Sequence, residues 1–204
     1  MKIAVFNLKG GVGKSRIALN IALSFPEFGL VTNDHYMDLE EYLEADSYIK
    51  VGPDDQFPDL GEASCVYDLG GFVDRRLAAL LSTCDMVIIP TLFDLNDFRV
   101  TTRTIVEVEA YAKKLCIVLN QANKDDVPVF MDTFGGMGHR LYRIRKSAAL
   151  QDMMIEKRSI DSLSADGGLR GYHYRPVAED FERLFEGVGL NTKEEAACPN
   201  MKSA

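Results

Sequence analysis

Short apolar runs alternate with longer amphipathic stretches along most of this chain. Runs of strand length recur at residues 3–6, 29–32, 63–67, 86–89 and 115–119. Continuous apolar character over four or five residues is what a strand buried on both faces shows, and spacing by helix-length segments is what parallel crossovers require. The pattern predicts an α/β fold, a mostly parallel twisted sheet with helices on both faces. The helical period is clearest over residues 97–114, with Phe98, Ile105, Val108, Ala112 and Leu115 on one stripe. A later helix is expected to open at Pro176, a residue suited to a first turn, with Glu179 and Asp180 near its positive end. Val177, Phe181, Leu184 and Val188 form its apolar face, and Gly187 and Gly189 end it. Residues 191–204 are polar, contain Pro199 and have no apolar period, so they read as a flexible tail after one domain spanning 1–190. Between 135 and 171 the chain is rich in Gly, Ser and charge, and element boundaries are poorly marked.

Composition adds exclusions. A chain that is 47% hydrophobic and 26% charged has the material for a packed core and lacks the signature of disorder. The formal charge of -8 opposes attraction of polyanions by the whole surface, so any nucleic-acid contact needs a local basic region. Cys65, Cys84, Cys116 and Cys198 form no Cys-x-x-Cys pair and read as buried or incidental thiols of a reducing compartment. The chain opens directly on a strand-like run, without the features of a secretory signal, and no window approaches the roughly 18 apolar residues of a membrane span. A soluble, cytoplasmic protein is expected.

The chemistry concentrates after the first apolar run. Asn7-Leu8-Lys9-Gly10-Gly11-Val12-Gly13-Lys14-Ser15 is followed by Ile17, Ala18, Ile21 and Ala22 at helical spacing, giving strand, glycine loop and helix in succession. Glycines let successive amides turn toward one point, and the helix start adds unpaired donors and its dipole, so phosphate oxygens bind there. Residues Gly10, Gly11, Val12 and Gly13 would cradle the phosphates, Lys14 would meet the β- and γ-phosphates, and the Ser15 hydroxyl would ligate Mg2+. The ordinary P-loop pattern asks for glycine five residues before Gly13, where this chain has Leu8. In its place stands a second lysine, Lys9.

Lys-Gly-Gly-x-Gly-Lys-Ser resembles the deviant Walker A motif of the ParA/MinD family, and the chain's length is similar to that of the small plasmid-type ParA partition proteins. The resemblance spans about residues 1–188, with its specificity concentrated in 7–15. It implies a P-loop NTPase fold, ATP and Mg2+ as ligands, slow partner-stimulated hydrolysis of ATP to ADP and phosphate, and a homodimer when ATP is bound. It also implies that Lys9 crosses the dimer interface to the partner's nucleotide, joining Lys14 in catalysis as an arginine finger would. Val66-Tyr67-Asp68-Leu69-Gly70-Gly71 resembles the Walker B and switch II segment, making Asp68 a metal residue and Gly70 a backbone donor to the γ-phosphate. Where the family shows Asp-x-Asp-Pro, this chain reads Thr32-Asn33-Asp34-His35, so the resemblance implies that Asp34 orients the attacking water, with Asp38 in reserve. Arg16 replaces a threonine common in the family, and either reaches a phosphate or points to solvent. Asn120 falls where relatives read the base but is also an ordinary turn former, and Pro176 falls in the region that packs over the base. Asp94-Leu95-Asn96-Asp97-Phe98 is similar to a family segment near the dimer interface.

Family partners would be a ParB-type DNA-binding protein and non-specific DNA, with plasmid or chromosomal DNA as the segregated cargo and nucleoid association as a consequence. Between residues 139 and 158 six basic side chains face two acidic ones, and Arg140, Arg143, Arg145 and Lys146 are the candidate patch. A MinD-like positioning ATPase is the nearest alternative. Its membrane-docking form is disfavoured by Glu179, Asp180, Glu182 and Glu186 on the last helix. A small-molecule ligase, an iron-sulfur reductase of the same fold and a pure binding switch are the others.

Overall fold

The computed structural model describes residues 1–34, 37–71 and 76–190. The expected tail at 191–204 and Cys198 lie outside them. Seven parallel strands form one sheet: β1 (Lys2–Val5), β2 (Gly29–Thr32), β3 (Tyr48–Lys50), β4 (Cys65–Asp68), β5 (Met86–Thr91), β6 (Leu115–Ala122) and β7 (Arg140–Arg145), in the order β3-β2-β4-β1-β5-β6-β7. The helices are α1 (Lys14–Ser24), α2 (Leu77–Thr83), α3 (Leu95–Glu109), α4 (Asp126–Phe134), α5 (Ala149–Glu156), α6 (Ile160–Ser164) and α7 (Gly168–Val188).

Period-two alternation divides each strand between two cores. Ile3, Val5, Leu30, Val66, Ile88 and Val118 face α1, α5, α6 and α7. Ala4, Val31, Tyr67, Val87, Ile89, Ile117 and Leu119 face α2, α3 and α4. The sheet is therefore buried on both sides, as the unbroken apolar runs require. Strand β1 lies at the centre between β4 and β5, where successive connections leave in opposite directions, and the carboxyl ends of strands at such a point open onto a crevice that binds ligands.

All five expected strands are present, and two more form the edges. β3 has three residues and β7 reads Arg-Leu-Tyr-Arg-Ile-Arg, so neither produces an apolar run. Short or charged strands are what an edge tolerates, because they resist pairing with another chain. The helix expected at 97–114 ends at Glu109, and Leu115 opens β6 instead of closing the helical stripe. Its start is fixed by Asp94, whose carboxylate accepts from the Asn96 and Asp97 amides.

The helix expected to open at Pro176 begins at Gly168, which places Pro176 inside α7 and Glu179 and Asp180 away from its positive end. A mid-helix proline leaves the carbonyl four residues earlier unpaired. Here that residue is Tyr172, 65% exposed, so water can serve it. Gly187 is helical, and the stop is Gly189 at φ +94, with Leu190 N–H on the Phe185 carbonyl at 2.8 Å.

Candidate nucleotide site

The loop between β1 and α1 is anchored from below before it can bind anything. Asn7 is fully buried; its Nδ2 donates to the Pro90 carbonyl at 2.8 Å and to Thr101 Oγ1 at 2.9 Å. Its Oδ1 accepts from the Lys9 amide at 2.9 Å and the Thr104 hydroxyl at 3.0 Å, while the Leu8 amide donates to Thr104 Oγ1. Asn7, Thr101 and Thr104 thus tie the loop to β5 and α3. Sequence reasoning missed all three, although hydroxyls four and one positions before Ile105 on an apolar stripe are a signal of polar business under the sheet.

Gly11 and Gly13 take φ values of +79 and +95, and Gly10 and Gly11 are exposed with open space where a side chain would stand. Asn120, 1% exposed at the top of β6, closes the loop from the other side. Its Nδ2 donates to the Val12 carbonyl at 2.9 Å and its Oδ1 accepts from the Gln121 amide at 3.0 Å. A Cβ on Gly13 would stand in that side-chain amide. The geometry gives Asn120 a loop-clamping part that the sequence did not suggest.

Four charged residues meet around the loop. Lys14 is buried and its Nζ donates to the Lys9 carbonyl at 3.1 Å. Burial holds the Lys14 ammonium below its ordinary pKa, with Asp68 and Asp34 opposing and Lys9 adding to the effect. Asp68 is 1% exposed and accepts a hydrogen bond from Ser15, yet its Oδ2 has no partner among the described residues. Burial pushes its pKa up to about 6 against the pull of Ser15 and Lys14, and Asp34 adds to the rise. Lys9, half-buried, lies 3.6 Å from the nearly buried carboxylate of Asp97, with its Nζ also toward the Gly10 carbonyl at 3.4 Å. Arg16 is exposed one turn into the helix.

The two segments resembling switches are bonded to each other. Thr32, at the position of the missing first aspartate, donates to the Asp68 carbonyl at 2.9 Å and accepts from the Asp34 amide at 3.0 Å, so one hydroxyl serves both strands. Asn33 Oδ1 accepts from the Gly70 amide at 2.7 Å, which occupies the donor expected for the γ-phosphate. Asn33 Nδ2 is buried without a partner among the described residues. Gly71 packs under the loop, where a Cβ would come within 2.8 Å of the Leu8 carbonyl.

Contacts and electrostatic reach thus link Lys9, Val12, Gly13, Lys14, Ser15, Asp34, Asp68 and Asn120 around the loop, with Gly10, Gly11 and Arg16 exposed on it and Gly70 tied to Asn33 beside it. Pro176 is not placed among them by any contact. Its neighbours Arg175 and Ala178 line a groove with Asn20 and Ser24, in the half of α1 away from the loop. Two residues of the four-residue basic patch are engaged elsewhere. Arg145 makes a two-pronged pair with the buried Asp180 at 2.7 and 2.9 Å, and Arg140 donates to the Gly187 carbonyl at 2.7 Å. Of the four, only Arg143 and Lys146 have neither an ion pair nor a side-chain hydrogen bond among the described residues. Cys65, Cys84 and Cys116 are buried, and burial raises their thiol pKa values, to about 12 for Cys84 and Cys116. They are protonated core residues, not the surface thiolates that a shared cluster needs.

No family model matches the sequence. The "Maintenance of carboxysome distribution protein A" of Halothiobacillus neapolitanus is 27% identical over 212 residues, covering 91% of this chain and 95% of that protein. The ATP complex of a Cyanothece McdA variant superposes with a TM-score of 0.65 at 11% identity, over 93% of this chain and 96% of that one. MinD of Pyrococcus horikoshii with Mg-ADP gives 0.63 at 16% identity, over 92% and 98%. The fold is that of the ParA/MinD ATPases. Within the ParA/MinD fold the residues of this chain fit a magnesium nucleotide. The glycine loop leaves open space at Gly10 and Gly11, and Asp68 and Ser15 offer hard oxygen donors, one of them a carboxylate oxygen unpartnered among the described residues. No helix among the described residues is long and apolar enough to cross a membrane.

The raised Asp68 pKa has a measurable consequence. A buried carboxylate with a folded pKa near 6 against an ordinary 3.8 keeps its proton to higher pH when folded. Stability therefore falls as pH rises from about 4 through about 6, and the full cost persists above. In urea melts without divalent cation, wild type is expected to lose about 1–2 kcal/mol more than Asp68→Asn between about pH 5 and pH 7.5. Equal losses in the two proteins would refute the assignment.

Proposed function

We propose that this chain is an ATP-hydrolysing switch that dimerises on ATP and positions a cellular cargo. The observation that carries the reading is the division of labour between two lysines. Lys14 is buried in its own loop, while Lys9 lies at the loop's rim, held by a single carboxylate on α3. An ion pair with one partner about a third exposed is weak, under about 1 kcal/mol, so Lys9 is readily released. In a dimer packed across this loop, Lys9 reaches the partner's triphosphate and stabilises charge developing on it.

The same reading assigns the remaining roles. The Gly10–Lys14 backbone and Lys14 bind the phosphates, and Asp34, within electrostatic reach of Lys14 and Asp68, orients the attacking water. Ser15 and Asp68 would hold magnesium, which when bound neutralises charge between the β- and γ-phosphates. For the Gly70 amide to meet the γ-phosphate it must leave Asn33, so nucleotide arrival is coupled to separation of the two switch segments. Hydrolysis removes the competitor and lets the Asn33–Gly70 bond re-form.

The carboxysome-distribution relative supports a positioning role over plasmid segregation with a ParB-type partner. If DNA is the surface along which cargo is positioned, Arg143 and Lys146 are the cations left to meet phosphate. Size-exclusion chromatography with light scattering tests the central claim. The protein is expected to be a monomer alone and a dimer with Mg2+ and a non-hydrolysable ATP analogue. A strictly monomeric loaded form sinks the switch and favours a ligase.

A further inference from the structure

A groove of about 710 Å3 runs between the C-terminal half of α1, α6 and α7. Ser24 is ten residues along α1 from Lys14, roughly 15 Å by helical rise, so the groove is separate from the phosphate loop. Its floor is aromatic, with Phe25 edge-on to Phe185 at 5.2 Å and Phe181 beside it at 5.7 Å. Two polar atoms set in that floor have no hydrogen-bond partner among the described residues. Asn20 is 1% exposed; its Oδ1 accepts from the Ile160 amide at 2.9 Å, but its Nδ2 has no partner, and neither does the buried Ser24 hydroxyl. Folded proteins rarely leave buried donors unmet, since each costs the full desolvation of the group.

The rim is acidic. Among the described lining residues Glu27, Asp161, Glu179 and Glu182 stand with one lining cation, Arg175, for a lining charge of -3. Glu179 also faces Arg183 at 3.6 Å, an exposed pair that water screens. An occupant must accept hydrogen bonds at the floor, bring positive charge to the rim and cover aromatic rings. Nucleic acid offers acceptors but is repelled by the rim. A metal ion or polyamine suits the rim but offers the Asn20 N–H no acceptor. A peptide supplies carbonyl oxygens for Asn20 and Ser24, aliphatic stems for the phenyl rings and ammonium or guanidinium heads for the carboxylates.

We propose that this groove binds a lysine- or arginine-rich segment of a partner protein. Such segments dock by charge complementarity at the rim, with main-chain hydrogen bonds at the floor fixing their register. The groove shares no lining residue with the phosphate loop, so it is tested without nucleotide, apart from the ATPase.

The probe is a fluorescein-labelled, end-capped hexapeptide of alternating lysine and alanine, followed by anisotropy with the full chain and no nucleotide. Binding is expected, weakening as salt rises, while the matching glutamate-alanine peptide does not bind. The Glu179→Gln/Glu182→Gln double variant should bind about tenfold more weakly, and Ser24→Ala about fivefold more weakly. Asn20→Ala should act like Ser24→Ala. Because Asn20 also holds Ile160, the serine variant decides the matter if the asparagine variant does not fold. No binding of the lysine peptide overturns the proposal. So does binding that Ser24→Ala leaves unchanged and spermine displaces as well as unlabelled peptide, because that is a diffuse acidic surface.

Discussion

Replacing Lys9 with alanine is expected to leave a folded, nucleotide-binding protein whose turnover is lower by on the order of 10²- to 10³-fold, the usual cost of removing one preorganised charge from a transition state. The fold should survive because Lys9 contributes no core packing. It is half-buried, and its links are the Asp97 ion pair and a long contact to the Gly10 carbonyl. Nucleotide affinity should survive because Lys14 and the loop amides remain, and the Asn7 bond to residue 9 uses the backbone N–H, which alanine keeps. The measurement is steady-state phosphate release with fluorescent-nucleotide binding on the same preparations. Mixing Lys9→Ala with a Lys14→Ala protein adds a sharper reading. If Lys9 acts across an interface, a mixed dimer holds one intact composite site and recovers part of the activity. Full activity in Lys9→Ala, or no recovery in the mixture, removes the interfacial role.

Gly13→Ala should abolish nucleotide binding and destabilise the chain. Two separate costs arise at this one position. Its φ of +95 is in the region where a side chain is strained by about 1–2 kcal/mol, and the added methyl would occupy the space of the Asn120 side-chain amide. Displacing Asn120 releases the Val12 carbonyl it holds at 2.9 Å, and with it the loop's curvature. A misplacement of about 1 Å in such a cradle costs roughly 100-fold, so ATP affinity should fall at least that far. Denaturant melts on Gly13→Ala, Asn120→Ala and the double variant separate the costs. The double variant should be less destabilised than the sum of the singles, because the clash is relieved and only the backbone strain remains. Simple additivity would show that Asn120 does not clamp the loop.

Much of this architecture was legible because burial on both faces writes itself into sequence. The runs at 3–6, 29–32, 63–67, 86–89 and 115–119 all became strands. The edges β3 and β7 were not legible, since an edge strand has one unpaired side and needs no apolar run. Pro176 misled for a related reason: local chemistry favours proline in a first turn, yet packing of Val177, Phe181 and Leu184 stabilises a helix long enough to absorb it. Nor could the sequence show that Arg145 of the basic cluster is paired with Asp180, 35 residues away.

At the site, sequence alone marked the loop, its glycines, Lys14 and Ser15, because phosphate binding demands fixed residue types at fixed spacing over residues 7–15, while Asp68 came only with the family resemblance. What supports and restrains that loop was decided only in three dimensions. Asn7 on Thr101 and Thr104, Asn120 on Val12, Asn33 on Gly70 and Lys9 on Asp97 join residues 37 to 108 positions apart, and their geometry exists only once the sheet has brought its strand ends together. A spacing rule reaches along the chain; these contacts run across it.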